Sequence, residues 1–188
     1  MSAKEVKEFQ QPAEDGPPEV LALQPIAIVD HVCQIQSEAS LRALVGGEAI
    51  GGSHRISQEE VSALLSEVGE FTSKAGGSAA NTTRGLAGLG VKAALVGARG
   101  LDEYGAIFSS SMRRAHVDVS RVVAAPGPTG RCVILSFQGQ RTMRTSMAGC
   151  PRLAPAELTA ADFAGVKYAF LSAYVLYNEG EGEGEGLL

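Results

Sequence analysis

The stretch "AGGSAANTTRGLAGLG", residues 75–90, decides the fold prediction. Its paired glycines, Gly76 and Gly77, suggest a nucleotide phosphate loop at first sight. A Walker A loop needs the pattern G-x-x-x-x-G-K-[ST], and no lysine follows the glycines in that register. The dinucleotide fingerprint G-x-G-x-x-G also fails, because "GLAGLG" falls within or at the end of a predicted helix. The sequence therefore argues against a nucleotide phosphate loop here.

The glycine pair leaves two interpretations open. Paired glycines let the backbone approach a ligand closely, and Asn81 follows them about one turn into the predicted helix, which suits a hydroxyl-rich ligand. Alternatively, Gly76 and Gly77 form only a tight turn, and Asn81 only caps the helix or faces solvent. Residues 75–90 alone do not choose between these interpretations.

Strand and helix patterns alternate after the glycine pair. The predicted helix has small or apolar residues on one face: Ala79, Thr83, Leu86 and Ala87. Gly90 is placed to end this helix, and residues 91–97, "VKAALVG", predict a strand. Asp102 can cap a further helix over residues 103–116. This order is typical of an α/β protein with a parallel sheet and helices on its faces.

The chain before the glycine pair carries three further patterns. The apolar run at residues 26–29 predicts a buried strand, which would place Asp30 at its C-terminal end. Residues 46–56, "GGEAIGGSHRI", predict a loop. Ser57 and Glu60 form a capping-box pattern at the start of an amphipathic helix.

The C-terminal third predicts a hairpin followed by a new strand. In residues 129–137, "TGRCVILSF", alternate positions are expected to face opposite sides of a strand, and a Gln138-Gly139 turn leads into "QRTMRTSM". Residues 153–165 predict a short helix and turn, and residues 166–177, "VKYAFLSAYVLY", predict an apolar strand.

Composition and charge exclude several function classes. The 16 basic and 21 acidic residues of the 188-residue chain are scattered and give a formal charge of -5, so no nucleic-acid partner is expected. Cys33, Cys132 and Cys150 show no C-x-x-C spacing, so we predict neither a disulfide framework nor a metal site. No apolar stretch approaches the roughly 20 residues of a membrane helix, and no membrane partner is expected. The cysteines favour the cytoplasm or another reducing intracellular compartment.

The two ends of the chain differ from its middle. Residues 1–19 mix charge with Pro and Gly and predict a flexible N-terminal segment. Residues 179–188 form a low-complexity Glu-Gly tail, in which like charges repel and nothing can be buried. The strand before the tail has nothing after it to cover it, so we expect a fragment, a truncated gene model or a splice product.

Several segments together resemble one known family. "PIAIVDHV", "AGGSAANTTRGLAGLG", "VGARGLDEYGAIF", "RAHVDVSRV" and "GPTGRCVILSFQGQRTM" are similar to the N-terminal half of the PfkB, or ribokinase-like, carbohydrate and nucleoside kinases. The resemblance implies a ribokinase-like α/β sandwich with a small β-sheet lid, truncated before its C-terminal half. Residues 20–178 would form the substrate pocket and lid of that kinase domain.

The resemblance also implies the substrate site. Asp30 would accept hydrogen bonds from substrate hydroxyls, because an ionised carboxylate has acceptors and no donors. Gly76 and Gly77 would place backbone N–H groups against the sugar, and Asn81 would offer both a donor and an acceptor. The opening stretch would then hold the acceptor substrate and not ATP.

The hairpin would belong to the lid, whose closure excludes water from the reacting groups. Arg141 could contact substrate or phosphate there, or it could be a solvated arginine on a strand. Many family members have an acidic residue where this chain has Gln140, so the resemblance leaves open whether this lid makes a charge-based contact. Lid strands pair between subunits in some relatives, which allows a homodimer.

The catalytic parts of the family lie outside these residues. The family base belongs to a Gly-Ala-Gly-Asp motif that the chain lacks, and Asn178-Glu179 does not fit the Asn-x-x-Glu motif that organises magnesium. We predict no catalytic residue in this chain, although the resemblance implies ATP and magnesium for a full-length parent. The chain is therefore expected to be inactive alone.

Two classes of function are left by these observations. The first is the substrate-binding half of an ATP-dependent sugar or nucleoside kinase. "VDHV" and the Gly-Gly-x-x-x-Asn-x-x-Arg segment at residues 76–84 resemble the adenosine-kinase-like branch and favour it, with fructokinase-type and ribokinase-type substrates also open. The second is a non-catalytic sugar- or nucleoside-binding or regulatory protein. His31 and Cys132 would be structural in both.

Overall fold

Two β-sheets organise the protein, whose structure is a computed structural model that describes residues 16–45 and 50–172. The strands in those residues are β1 (Val20–Ile26), β2 (Ile28–Gln34), β3 (Ser53–Arg55), β4 (Thr72–Gly76), β5 (Ala93–Gly100), β6 (Asp118–Ala125), β7 (Gly130–Phe137), β8 (Gln140–Ser146) and β9 (Tyr168–Leu171). The helices are α1 (Glu38–Leu44), α2 (Gln58–Val68), α3 (Ser78–Gly88) and α4 (Glu103–Arg114).

The two sheets differ in size and direction. The first has four parallel strands in the order β6-β5-β1-β9. The second has five strands of mixed direction in the order β3-β8-β7-β2-β4. This arrangement confirms the predicted α/β class, with a parallel sheet and a second β-sheet.

Ala27 is the point at which the chain passes from one sheet to the other. Its N–H donates to the Ala98 carbonyl of β5 at 2.8 Å, and its carbonyl accepts from the Gly130 N–H of β7 at 3.0 Å. The prediction of one strand ending at Asp30 is therefore wrong: Asp30 is the third residue of β2 and not a strand end. The apolar run continues through Ala27 while the partner sheet changes, so periodicity cannot reveal the break.

Two other predictions also need correction. Residues 53–55 form β3 and not a loop, because β3 pairs with β8 and the Met143 N–H donates to the Gly52 carbonyl at 3.0 Å. Residues 46–49 of the predicted loop lie outside the described residues. In β7, residues 130–135 are buried without alternation, because this strand is central in its sheet.

Most local predictions are confirmed. The capping box of Ser57 and Glu60 starts α2, and α3 ends before Gly90, which has a φ of 84°. Gln138 and Gly139, with φ values of 47° and 78°, form the predicted hairpin turn between β7 and β8.

The C-terminal predictions are confirmed in part. Residues 153–165 contain two short 3-10 helices, Pro155–Glu157 and Ala160–Phe163. The final predicted strand is described as far as β9, while residues 173–177 and the Glu-Gly tail lie outside the described residues. So do residues 1–15 of the predicted flexible segment.

Helices pack through apolar side chains against one face of each sheet. Side chains of α3 and α4 pack against the four-stranded sheet around buried Phe108 and Met112, and Leu153 lies against its other face. Side chains of α1 and α2 cover the face of the five-stranded sheet that carries Cys33 and Val133. In β2, Asp30 alternates to the opposite, half-exposed face. None of the helices in residues 16–45 and 50–172 is long and apolar enough to cross a membrane.

Asp102 ties α4 to the start of β7. Its Oδ1 accepts hydrogen bonds from the Gly105 N–H at 2.8 Å and the Thr129 hydroxyl at 2.6 Å, and its Oδ2 accepts from the Thr129 N–H at 2.8 Å. These bonds lower the pKa of the Asp102 carboxyl, although its partial burial acts in the opposite direction and is the largest single influence.

The substitution Asp102→Ala is expected to lower the free energy of unfolding by about 2–3 kcal/mol, because it removes a helix cap and leaves two Thr129 donors without an acceptor. Urea denaturation measures the change. The matched control is Asp162→Ala, which removes a carboxylate that accepts from Thr159 at an exposed site. An equal loss in both variants would contradict the role of Asp102.

Candidate functional site

The turn between β4 and α3 is held by a side chain from β1. Gly76 ends β4, and Gly77, with a φ of 92°, precedes α3. Buried Gln24 donates from Nε2 to the Gly76 carbonyl at 3.0 Å and accepts from the Ala80 N–H at Oε1 at 2.9 Å. Gly77, at the N-cap of α3, has no side chain to accept a hydrogen bond, and the Gln24 side chain caps the helix instead. It fixes the turn against the four-stranded sheet.

Sequence reasoning missed Gln24. The signal that could have found it is a polar side chain within the otherwise apolar strand "VLALQPI". A buried polar group must find hydrogen-bond partners, so such a residue marks a polar contact between elements.

Asp30 lies directly against Gly76. A Cβ atom at position 76 would overlap the Asp30 carboxylate, and one at position 77 would lie 2.6 Å from the Gln24 amide. Both positions therefore require glycine for reasons of space, and Gly77 also for its positive φ. The structure brings Asp30, Gly76 and Gly77 together.

The Asp30 carboxylate is surrounded by positive charge. Burial raises the pKa of the Asp30 carboxyl, while the charges of Lys74, Arg84 and Arg141 act in the opposite direction. Lys74 is directly opposite Asp30 on β4. Asp30 makes no hydrogen bond or ion pair within residues 16–45 and 50–172. Its oxygens are available as acceptors for a ligand.

Asn81 lies on the exposed side of α3, one turn after the glycines. Its Oδ1 accepts from Arg84 Nη2 at 2.8 Å, and Arg84 Nη1 donates to the Ala75 carbonyl at 3.0 Å. Arg84 therefore links Asn81 to the end of β4. Arg84 is the arginine of the Gly-Gly-x-x-x-Asn-x-x-Arg segment, and it lies three residues after Asn81, the spacing at which helix side chains meet.

Arg141 is exposed on β8. It is paired with Ser136 of β7, which is paired with Gln34 of β2, so Arg141 and Asp30 are on the same face of the five-stranded sheet. The structure gives Arg141 an electrostatic interaction with Asp30 but no ion pair within the described ranges.

His31 and Cys132 are buried beside Asp30 in the five-stranded sheet. Within the described residues, neither side chain is hydrogen-bonded to Asp30. His31 Nδ1 and Ser73 Oγ share a hydrogen bond of 2.8 Å, and the ring meets Phe71 and Tyr104 edge-on. The Thr145 hydroxyl donates to Cys132 Sγ at 3.2 Å, and burial raises the pKa of the Cys132 thiol to about 11. A thiol with that pKa is a poor nucleophile at neutral pH.

The arrangement offers polar groups that can bind hydroxyl groups. Asp30 supplies acceptors, Asn81 and Arg84 supply polar groups, and the glycines leave room for close approach. The described ranges hold no group of three or more His, Cys, Asp or Glu side chains that could bind a metal ion. We therefore assign no reaction step to magnesium in these residues.

The family follows from this architecture and from a sequence match. Residues 45–178 match the pfkB family carbohydrate kinase model, and the chain belongs to that family. No curated protein sequence matches the chain.

Solved structures agree with the family. The adenosine kinase from Sinorhizobium meliloti is similar, with 29% identity, a TM-score of 0.71, and coverage of 84% of this chain and 47% of that one. A probable sugar kinase from Rhizobium etli CFN 42 has 29% identity, a TM-score of 0.70 and the same coverage. The Anopheles gambiae adenosine kinase, at 19% identity and a TM-score of 0.68, shares the fold over 83% of this chain and 48% of its own. The chain spans about half the length of these structures.

The substitution Gln24→Ala is expected to lower the free energy of unfolding by about 2–3 kcal/mol, since it leaves the Gly76 carbonyl and the Ala80 N–H without their partner. Urea denaturation is the measurement. Gln34→Ala, at the exposed end of β2, is the matched control and should leave stability unchanged. Equal effects of the two substitutions would refute the role of Gln24.

His31 should make stability depend on pH. Burial, with a smaller contribution from the Arg131 charge, lowers the pKa of His31 to about 4. Below about pH 6.5 the unfolded chain binds a proton at His31 but the folded chain does not. The free energy of unfolding therefore decreases as the pH falls from about 6.5 to 4, by on the order of 3 kcal/mol, and is unaffected by His31 above pH 6.5.

The measurement is the free energy of unfolding in urea at several pH values between 7.5 and 4.5. His31→Gln should flatten the pH dependence relative to the wild type, whatever its effect on stability at pH 7.5. His54→Gln, which alters an exposed residue of β3, should keep the wild-type dependence. An unchanged slope in His31→Gln would show that His31 does not cause it.

Proposed function

We propose that this chain is the substrate-binding half of an ATP-dependent sugar or nucleoside kinase. The observation that carries the proposal is the Asp30 carboxylate, which lies against Gly76 without a hydrogen bond in the described residues. An acceptor held in this way is suited to ligand hydroxyls, because leaving it unpaired has a cost in free energy that the ligand removes.

Each residue of the site has a part in this proposal. Ionised Asp30 accepts hydrogen bonds from neighbouring hydroxyls, and its two oxygens suit a diol. Gly76 and Gly77 allow the ligand to approach the backbone. Asn81, held by Arg84, presents its amide nitrogen as a donor.

Burial raises the pKa of the Asp30 carboxyl, and the positive charges around it offset only part of that rise. Lys74, Arg84 and Arg141 favour the carboxylate, whereas burial favours the protonated acid. Binding should therefore weaken as the pH falls towards the pKa of Asp30. Arg141, on the same face of the five-stranded sheet, is placed to approach an anionic part of a substrate.

The proposed reaction is transfer of a phosphoryl group from ATP to a substrate hydroxyl. Family membership implies ATP and magnesium for the full-length enzyme, with the base on a Gly-Ala-Gly-Asp motif that is absent from these 188 residues. The contribution of this chain is to bind and orient the hydroxyl substrate and to exclude water beneath the five-stranded sheet. We therefore expect no phosphoryl transfer by the chain alone.

The substrate class follows from the relatives. Two structures with 29% identity are an adenosine kinase and a probable sugar kinase, so a nucleoside or a sugar is proposed. A protein that keeps this pocket but binds its ligand without catalysis is the alternative, which the same site geometry supports. Phosphoryl transfer by a longer parent would distinguish the kinase from the binding protein.

Asp30→Asn should weaken ligand binding by about ten- to a hundredfold, because a hydrogen bond to a charged group contributes about 1.5–3 kcal/mol. Isothermal titration of the 188-residue chain with adenosine, ribose and fructose measures it. Asp118→Asn, in the half-buried Asp118–Arg121 pair of β6, is the matched control and should bind as the wild type does.

Two results would contradict the proposal. One is a folded wild-type chain that binds none of the three ligands. The other is an Asp30→Asn variant that binds as tightly as the wild type. Phosphorylated product formed from ATP by the isolated chain would contradict only the expected inactivity.

A further inference from the structure

A second cleft lies on the other side of the five-stranded sheet. It has a volume of about 390 Å³ and is formed where the N-terminal ends of α2 and α4 meet β7. The residues of the cleft used below are Ser57, Gln58, Glu59, Asp102, Tyr104 and Arg131. The volume is within the usual range for small-molecule sites, which is about 300–1,000 Å³.

The register of the sheet separates this cleft from the Asp30 site. Arg131 of β7 is paired with Val29 of β2, and the next residue, Cys132, is paired with Asp30. Successive side chains of a strand point to opposite faces, so Arg131 and Asp30 are on different faces of the sheet. A ligand of this cleft would not occupy the substrate site.

Arg131 brings a buried positive charge to the cleft. The residue is 8% exposed. Its Nε donates to Gln58 Oε1 at 2.9 Å, and its Nη2 donates to the Gln58 carbonyl at 2.8 Å and to Ser62 Oγ at 3.1 Å. Within residues 16–45 and 50–172, its Nη1 makes no hydrogen bond and the side chain makes no ion pair.

The position of the guanidinium is fixed before any ligand arrives. Three hydrogen bonds hold it to α2, and its central carbon lies 5.0 Å from the centroid of the Tyr104 ring. A cation in this geometry is attracted to the face of the ring. A donor that is already in place binds with a smaller loss of side-chain entropy.

The acidic residues of the cleft do not neutralise Arg131 by contact. Both oxygens of Asp102 accept hydrogen bonds from Gly105 and Thr129. Glu59 is exposed, and its pKa is lowered mainly by its own backbone N–H and the Ser57 side chain, and only to a small extent by Arg131. The positive ends of two helices, of 11 and 12 residues, also point to this cleft.

We propose that the cleft is a binding site for a small oxyanion, a phosphate or a carboxylate, held by Nη1 of Arg131. The anion would satisfy the one nitrogen of the guanidinium that has no acceptor and would compensate a charge buried without a counter-ion. It would lie between α2 and β7 on one side and the start of α4 on the other. This site is independent of the proposed kinase function.

The test uses the full 188-residue chain and inorganic phosphate as the probe, titrated by calorimetry at constant ionic strength. The wild type should bind one phosphate per chain. Arg131→Gln should weaken the binding by about tenfold or more, since it removes a charge-assisted hydrogen bond. Arg113→Gln, at an exposed position of α4, should bind as the wild type does.

One more variant tests the site. Glu59→Gln keeps Arg131 and its partners, so it tests the proposal even if Arg131→Gln does not fold. It should tighten binding by about two- to fivefold, because it removes an exposed carboxylate from the vicinity of the anion.

The outcomes decide the proposal in either direction. Acetate is then added as a competitor. Displacement of phosphate by acetate would support a carboxylate ligand, and no displacement would support a phosphate ligand. The proposal is overturned by an absence of saturable phosphate binding or by an Arg113→Gln loss as large as that of Arg131→Gln. Weaker binding in Glu59→Gln would overturn it too.

Discussion

The hydrogen bonds of the Gln24 side chain are the constraint on which the rest of the structure depends. One amide group connects β1, the last residue of β4 and the first turn of α3. The turn can then pass close to β2, where the Asp30 carboxylate occupies the space that any side chain at position 76 would need. The proposed substrate site is thus formed by backbone placement and one buried amide.

Charge is distributed unequally over the two faces of the five-stranded sheet. On one face, Asp30 has positive neighbours and open acceptors. On the other, His31 is buried and Arg131 is bound to α2 and Tyr104. Because adjacent residues of β2 and β7 alternate between faces, a single pair of strands supplies both environments.

Local sequence predicted much of this fold, and long-range pairing limited the rest. Ser57, Asp102 and Gly90 act within one turn of a helix, so their patterns located α2, α4 and the end of α3. The change of sheet at Ala27 and the strand at residues 53–55 depend on partners distant in sequence. The association of Asp30 with Gly76 came from the family resemblance, whereas Gln24 and Arg131 act through tertiary hydrogen bonds that no local pattern announces.

The backbone of Ala27 has a mechanical consequence. Its N–H is bonded to one sheet and its carbonyl accepts from the Gly130 N–H of the other, while the Gln24 side chain links β1 of the first sheet to β4 of the second. Because the sheets are tied at two places, turning or sliding one sheet against the other must strain the hydrogen bonds at one of them. The two ties therefore brace the sheets at a fixed angle.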